Sequence, residues 1–250
     1  MGDVNISGAK VLINIPALGG PVLTETIVSM WICMAVIGFL CWFLTRDLKV
    51  HATSKRQIIA EYLVKAVNNM VSQNMGPQWL GFAPFIATLI GLSAVCSLSS
   101  LVLLFSPTQD LSTLLGWALV VFVIITYHKI KANGIGGYAK GYLQPIPVML
   151  PLNIISEIAT PISMAFRHFG NIASGTVIST LVYGALAAAS HALFSVLPGV
   201  LGNILGNMQL LQVGIPAVLS LYFDLFSSCI QAYIFCMLTM MYTAAAAQAD

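Results

Sequence analysis

Three long apolar runs dominate the first half of the chain. They cover residues 27–44, 82–105 and 111–127, and each is bounded by polar or turn-forming residues. About 20 consecutive apolar residues are enough for a helix to cross the hydrocarbon core of a bilayer. The pattern therefore predicts three membrane-crossing helices, over residues 26–45, 80–106 and 110–131.

A different periodicity runs through residues 54–74. Apolar residues recur on one side of a helix drawn over this stretch, whereas Glu61, Lys65 and Asn69 form a polar row at a spacing of four residues. An amphipathic pattern of this kind is typical of a helix that lies in the membrane interface. We expect an amphipathic surface helix here.

The last part of the chain, residues 146–247, holds only three charged residues, Glu157, Arg167 and Asp224. Pro198 followed by Gly199 predicts a break. The two helical segments on either side cover residues 142–193 and 199–247. A helix of about 45 residues is roughly 68 Å long, whereas the hydrocarbon core is about 30 Å thick. Each segment is therefore either one strongly tilted helix or two spans, and the pattern alone favours neither.

Composition agrees with a membrane location. Of the 250 residues, 58% are hydrophobic and 7% are charged, whereas soluble domains carry about 25% charged residues. These values exclude an ordinary soluble domain. The chain is predicted to be one all-α membrane domain over residues 1–250, with residues 1–25 as an N-terminal tail outside the bilayer.

The cations predict the orientation of the chain. Arg46 and Lys49 follow the first span, and Lys129 and Lys131 end the third. Because cationic segments remain on the cytoplasmic side, we expect the N-terminus outside and the C-terminus in the cytoplasm. The glycine-rich residues 134–137 that follow are expected to form a flexible loop.

Arg167 has no such cytoplasmic position, and its neighbours are informative. A stripe of polar residues shares one face of a helix through it, at spacings of 4, 3, 4, 4 and 3 residues. The members of this stripe are Ser156, Thr160, Ser163, Arg167, Asn171 and Ser174. A second stripe in the last segment contains Ser220, Asp224, Ser227, Ser228 and Gln231. Neither stripe suits lipid, so we expect the two to face each other or water.

Less specific interpretations of these residues remain open at this point. Serine and threonine in membrane helices often bond the carbonyl of their own preceding turn. Arg167 would be an ordinary snorkelling cation in an interfacial loop if a span ended at Phe166 and another began at Ile172. Asp224 is harder to dismiss, because a carboxyl in an apolar helix needs a proton or a partner.

The sequence contains no motif of the common enzyme classes. Neither a zinc-protease His-Glu-x-x-His pattern, nor a nucleophile elbow, nor a phosphate-binding loop occurs. We expect no cofactor, no resident metal and no nucleic-acid partner. A self-contained ion channel or secondary transporter is the alternative function, but it predicts an internal repeat with matched broken helices, which the sequence lacks.

Three stretches carry a resemblance to a known family. Residues 161–175 read Pro-Ile-Ser-Met-Ala-Phe-Arg-His-Phe-Gly-Asn-Ile-Ala-Ser-Gly, residues 107–111 read Pro-Thr-Gln-Asp-Leu, and residues 231–235 read Gln-Ala-Tyr-Ile-Phe. In sequence and in order they resemble subunit a of the rotary F-type ATP synthase, the ion-channel stator of its membrane sector. The stretch around Arg167 is the most specific of the three.

The resemblance implies an architecture and partners. It implies five membrane-crossing helices plus one amphipathic surface helix, with the last two helices long and strongly tilted against a ring of c subunits. It further implies b-type peripheral stalk subunits, a soluble ATPase head reached through the stalks, and a location in the bacterial inner membrane. The subunit would carry no ATP catalytic site of its own.

The resemblance also implies roles for individual residues. Arg167 matches the family's essential arginine, which separates two half-channels for H⁺ or Na⁺. An outer and an inner set of polar residues would line these half-channels. The outer set is Asp224, Asn171, Gln231, Asp110 and Thr176, and the inner set is Glu157, Ser156 and Thr160.

Four positions depart from the family pattern. Thr176 stands where many members carry Glu or His, Asp224 where they often carry His or Glu, and His168 where Leu is usual. Asp110 is followed by Leu-Ser-Thr-Leu rather than by the family's Leu-Asn-x-Thr. These departures leave the choice between H⁺ and Na⁺ open.

Overall fold

The computed structural model describes residues 11–14, 22–46, 49, 54–102, 104–143, 146–194 and 221–248. Six α-helices and two short strands occur in this part of the chain. The strands are β1 (Val11–Asn14) and β2 (Val22–Thr24), and the helices are α1 (Glu25–Thr45), α2 (Lys55–Met75), α3 (Ala83–Leu98), α4 (Leu111–Gly141), α5 (Leu150–Phe194) and α6 (Ser228–Ala246). A π-helix, Leu221–Ser227, leads directly into α6. Single turns of 3₁₀ helix cover Pro77–Phe82, Ser99–Val102, Pro107–Gln109 and Pro147–Met149.

Five helical stretches of the described chain are long and apolar enough to cross a bilayer. They are Glu25–Thr45, Pro77–Val102, Leu111–Gly141, Pro147–Ser190 and Leu225–Ala246. The predicted fold class, an all-α membrane protein with five crossing helices, is confirmed. A small antiparallel pairing of β1 with β2 adds to it in the N-terminal segment, where the sequence pattern predicted only a tail.

Helix α5 answers the question that the sequence left open for residues 142–193. It runs without interruption from Leu150 to Phe194, a length of 45 residues, or about 68 Å at 1.5 Å per residue. A continuous helix of this length fits a hydrocarbon core of about 30 Å only if it is tilted or extends beyond it. The alternative of two spans with Arg167 in a connecting loop is wrong. The break expected at Pro198–Gly199 lies outside the described residues.

Helix α4 is longer than the sequence predicted. The glycine-rich residues 134–137 were expected to form a loop, but α4 continues through them to Gly141. The helix is interrupted only at Gly134, whose backbone has φ 70° and ψ 168°. This conformation is essentially restricted to glycine, so Gly134 introduces a kink and the following turns form a separate helical end.

The core is built by α2, α3, α4, α5 and α6. Val71, Ile86 and Met240 join α2, α3 and α6, and other apolar clusters join α4 to α5 and α6. Helix α5 contributes Met164 and Ala165 to these clusters, three and two residues before Arg167. Because adjacent residues of an α-helix lie about 100° apart, burial of both Met164 and Ala165 fixes the rotation of α5.

Helix α2 has two different halves. Its second half is packed, with Val71 and Met75 buried against α3 and α6. Its first half exposes apolar side chains, among them Ile59 and Tyr62, the latter 72% exposed. An exposed apolar face is what a helix in the membrane interface requires.

Candidate functional site

Arg167 lies on the face of α5 that points away from the core. Its side chain is exposed, whereas Met164, Ala165 and His168 around it in sequence are buried. In the described part of the chain, no hydrogen bond or ion pair involves its guanidinium. Ser156, Ser163 and Ser174 of the polar stripe are exposed on the same helix, and Thr160 and Asn171 are half-buried.

An exposed arginine on this surface is costly unless something outside the described chain meets it. Arg167 is the one charged residue between Ile158 and Phe194, and an arginine at the centre of a membrane helix costs about 3 kcal/mol on insertion scales. The guanidinium does not escape by losing its proton at accessible pH. The surface around Arg167 is therefore suited to an anionic partner or to water.

The two polar stripes meet at Asn171. Its Nδ2 donates a hydrogen bond of 2.8 Å to Oγ of Ser227, which links α5 to the π-helix before α6. Gln231 lies four residues beyond Ser227 and is half-buried. The backbone of Asp224 lies in the same π-helix, but its side chain is outside the described structure.

Several hydroxyl side chains of α5 donate hydrogen bonds to backbone carbonyls of their own helix. Thr160 donates to the carbonyl of Ser156 at 2.9 Å, Ser174 to that of Asn171 at 3.1 Å, and Thr176 to that of Ala173 at 2.8 Å. These are the local bonds that hydroxyl side chains commonly make in membrane helices. Each hydroxyl oxygen still has lone pairs available to accept a hydrogen bond.

A polar cavity lies beside the N-terminal part of α5. It has a volume of about 620 Å³ and is enclosed by α4, α5 and α6. All three residues of the inner set, Ser156, Glu157 and Thr160, line it. The structure therefore brings together on one wall the residues that the resemblance assigned to the inner half-channel.

Glu157 is held in this cavity by partners from α4 and its C-terminal end. Lys129 Nζ lies 3.1 Å from Glu157 Oε1, and Tyr138 Oη donates to the same oxygen at 3.2 Å. Tyr142 Oη donates to Oε2. The Glu157 side chain is only 11% exposed, so these contacts replace most of its hydration.

Tyr142, just beyond the C-terminus of α4, is neutral in this arrangement. Burial, followed by its hydrogen bonds to Glu157 and Tyr138, raises the pKa of Tyr142 far above its ordinary value of 10.0. Its hydroxyl is therefore a hydrogen-bond donor to the carboxylate at every accessible pH.

Asp110 has a structural position. It is the N-cap of α4, where Oδ1 accepts from the backbone N–H of Ser112 at 3.0 Å. Its other oxygen accepts from Thr26 Oγ1 of α1 at 3.1 Å. Asp110 thus joins the start of α4 to α1.

His168 follows Arg167 in sequence but lies on the opposite side of α5. It is 1% exposed, and its ring meets that of Phe235 at a centroid distance of 6.0 Å. Neither ring nitrogen has a hydrogen-bond partner within the described structure. Across the same residues, no group of three His, Cys, Asp or Glu side chains is placed to hold a metal ion.

Sequence reasoning missed Lys129, Tyr138 and Tyr142 as parts of the site. The two tyrosines follow a stretch that was expected to be a loop, so no common face was predicted for them. Their spacing of four residues, close to several lysines, is the sequence signal that places them side by side on a helix.

Comparisons with known proteins address the identity of the chain. A family of sequences described as the ATP synthase A chain matches residues 27–244. The protein named ATP synthase subunit a in Desulforamulus reducens is 34% identical over 238 residues, which are 93% of this chain and 84% of that protein. ATP synthase subunit a 2 of Acaryochloris marina is 33% identical over 230 residues, or 91% of this chain and 87% of the relative.

A third relative has similar identity and coverage. ATP synthase subunit a of Bacillus subtilis is 30% identical over 226 residues, covering 86% of this chain and 88% of the relative. The match to the family includes all or nearly all of each of the five membrane-crossing stretches. The resemblance drawn from the motifs is confirmed: the chain belongs to the ATP synthase A chain family, and it is a multi-pass subunit of the membrane sector of an ATP synthase complex that serves ion transport and ATP synthesis.

Proposed function

We propose that this subunit is the ion-translocating stator of its complex. Two offset half-channels deliver ions to carboxylates on a ring of c subunits and remove them on the other side. Arg167 separates the half-channels, so that ions cross the membrane only by riding on the rotating ring. Each unit charge that crosses a potential of about 100 mV releases about 2.3 kcal/mol, which rotation transmits to ATP synthesis.

The observation that carries this proposal is the exposed guanidinium of Arg167 on the apolar helix α5, which has no hydrogen-bond or ion-pair partner among the described residues. A passive anchor has no use for such a charge, which costs about 3 kcal/mol in a membrane helix. A ring of carboxylates passing this surface gives the guanidinium a partner at each step. Arginine suits the task because it remains cationic in a desolvated site where lysine can lose its proton.

The polar residues divide between two routes. Glu157, Ser156 and Thr160 would line the inner half-channel, and their common cavity of about 620 Å³ supports this. Asp224, Asn171, Gln231, Asp110 and Thr176 would serve the outer one. The hydrogen bond from Asn171 to Ser227 supports an outer route between α5 and the last helix, whereas Asp110 is engaged in capping α4.

The proposal includes partners and a place. The partners are the c-subunit ring, b-type peripheral stalk subunits, and through the stalks a soluble ATPase head, which alone would bind ATP. No cofactor is required beyond the translocated ion. We place the chain in the bacterial inner membrane with the N-terminus outside. Reporter fusions after Lys131 and at Asp250 must then both report the cytoplasm, and an external signal from either rejects this orientation.

Replacement of Arg167 tests the function. In inverted vesicles carrying the complete enzyme, Arg167→Ala should abolish ion-driven ATP synthesis while the subunit still co-purifies with the c-ring. Ser163→Ala, one turn away on the same exposed face, is the matched control and should leave most of the synthesis rate. Normal synthesis by Arg167→Ala would reject the proposal.

A further inference from the structure

Glu157 has more hydrogen-bond donors around it than neutralisation of its charge requires. Lys129 alone supplies a counter-charge at 3.1 Å. Tyr138 and Tyr142 add two hydroxyls, and their oxygens lie only 2.5 Å from each other. Hydrogen bonds thus connect the Tyr138 hydroxyl to the Tyr142 hydroxyl, and the Tyr142 hydroxyl to the carboxylate of Glu157, in one continuous chain.

The position of this cluster is held by several independent contacts. The rings of Tyr138 and Tyr142 meet edge to face, with a centroid distance of 5.1 Å and an interplanar angle of 78°. Asn153 Nδ2 of α5 donates to the backbone carbonyl of Tyr142 at 2.9 Å. The end of α4 is thereby tied to the start of α5, and the hydroxyls face the shared cavity of about 620 Å³.

We propose that Glu157, Tyr142 and Tyr138 form a proton-release relay at the inner cavity, in which the two tyrosine hydroxyls carry the hydrogen that leaves Glu157. The proposal rests on the proposed function, because it names the groups through which the inner half-channel discharges its ion. It also commits that ion to be a proton, since a chain of hydroxyls transfers hydrogen and not Na⁺.

The transfer can be written without any additional reactant. A proton that leaves a rotor carboxyl through cavity water binds Glu157, which becomes neutral as the rotor carboxyl becomes anionic. Glu157 then donates this proton towards Tyr142 Oη, Tyr142 passes its own hydrogen to Tyr138 Oη, and Tyr138 releases its hydrogen to water on the cytoplasmic side. Each hydroxyl gains one hydrogen as it loses one, and Glu157 returns to its anionic form beside Lys129.

The bonds observed are those of the anionic resting state. With Glu157 ionised, both tyrosines and Lys129 donate and the carboxylate only accepts. When Glu157 is protonated, Tyr142 can accept because its hydroxyl oxygen keeps free lone pairs. The charged and titratable side chains around the cavity are Lys129, Lys140, Tyr138 and Tyr142 from α4 and its end, and Tyr242 from α6.

Removal of single hydroxyls tests the relay in the complete enzyme. Tyr142→Phe and Tyr138→Phe keep the aromatic contact and delete one link each. In inverted vesicles, ATP-driven proton pumping takes protons up through the same groups in the reverse direction, and its rate should fall at least about tenfold. The optimum should also move to more alkaline cytoplasmic pH, because Glu157 holds its proton more tightly without donated hydrogen bonds. The dependence on the pH of the outer side should remain unchanged.

The control is Tyr127→Phe, an exposed tyrosine of the same helix α4, which should pump at the wild-type rate. Wild-type rate and pH profile in both Tyr138→Phe and Tyr142→Phe would overturn the relay. A lower rate with an unshifted profile, or a smaller amount of subunit in the purified complex that accounts for the loss, would equally overturn it and leave the tyrosines a structural role. The proposed function is tested separately by Arg167→Ala, so either idea can fail without the other.

Discussion

Glu157 and Arg167 lie ten residues apart on one helix, about 15 Å along its axis. They differ in exposure and in the number of partners that their charged groups have. The carboxylate of Glu157 is 11% exposed and has three partners from α4 and its end. The guanidinium of Arg167 is exposed and has no partner in the described chain. The charge of Glu157 is neutralised by its neighbours, whereas the charge of Arg167 has no counterpart among the described residues.

The difference follows from the rotation of α5. Met164, Ala165 and His168 bury the side of the helix that faces α4 and α6, so Arg167 must point outward. Glu157 lies ten residues earlier, which at 100° per residue turns it by about 80° from Arg167 and towards the end of α4. A subunit that works against a moving partner needs this asymmetry, because a charge already paired within the chain would not bind and release the partner's carboxylates.

Asp224 provides the strongest test of this contrast. If it serves as the outer relay, Asp224→Asn should assemble normally and slow ion transport by at least about tenfold, with Asp224→Glu and Asp224→His milder. Proton flux through reconstituted membrane sectors measures the effect. Full-rate flux through Asp224→Asn would end the relay role and move the outer route to Asp110 or to water held by Thr176.

A double substitution separates a relay from a simple counter-charge for Arg167. If Asp224 only neutralises Arg167, Asp224→Asn alone should impair assembly, and adding Arg167→Gln should restore assembly without transport. In that case both charged residues of α5, Glu157 and Arg167, would be paired within the chain, and the difference between them would not exist. Quantifying the subunit retained with the c-ring distinguishes the two outcomes.

Stability should also distinguish the two charges, with a smaller effect. Glu157→Ala leaves the Lys129, Tyr138 and Tyr142 donors without their acceptor, and an unsatisfied buried polar group costs about 1–3 kcal/mol. Because the cavity admits water to these donors, the lower end of that range applies. Arg167→Ala removes no hydrogen bond or ion pair within the part of the subunit that the structure describes. Thermal aggregation of the subunit in the solubilised complex should begin at lower temperature for Glu157→Ala than for Arg167→Ala, and equal midpoints would contradict the comparison.

Much of this fold was predictable because the bilayer sets the length of an apolar run. The spans around α1, α3 and α4 follow directly from hydrophobic length, and the apolar row of α2 follows from its periodicity. The continuity of α5 did not follow from the apolar pattern, because a tilted helix and two shorter spans share one composition; only the family resemblance implied one long helix. The pairing of β1 with β2 left no alternating pattern that would have identified it.

The site was predictable where residues close in sequence share a helix face. Ser156, Glu157 and Thr160 fall on one cavity wall for this reason, although their role remains a proposal. Tyr138 and Tyr142 contact Glu157 across 19 and 15 residues, and no local periodicity encodes such a contact. The capping role of Asp110 could have been predicted, since an aspartate directly before a helix is a preferred N-cap. The family resemblance instead assigned Asp110 to the outer half-channel.

We expect the kink at Gly134 to position Tyr138 and Tyr142 against Glu157. Substitution of Gly134 should have the smallest of the predicted effects. Gly134 has φ 70°, and no heavy atom lies within 4 Å of a Cβ added there. An alanine at this position therefore meets backbone strain and no steric clash, at a cost of about 1–3 kcal/mol. Gly136 is the matched control, since it has equally open surroundings and no positive φ.

Gly134→Ala should straighten α4 and move Tyr138 and Tyr142, which follow the kink by one and two helical turns, away from Glu157. Proton pumping should fall several-fold and the cytoplasmic pH profile should shift in the alkaline direction, as for the tyrosine variants. Gly136→Ala should pump at the wild-type rate, because alanine stabilises an exposed helical position by about 0.5–1 kcal/mol relative to glycine. If both alanine variants pump equally well with the same pH profile, the kink does not position the tyrosines. Lys129, which precedes Gly134, would then be the partner that neutralises Glu157.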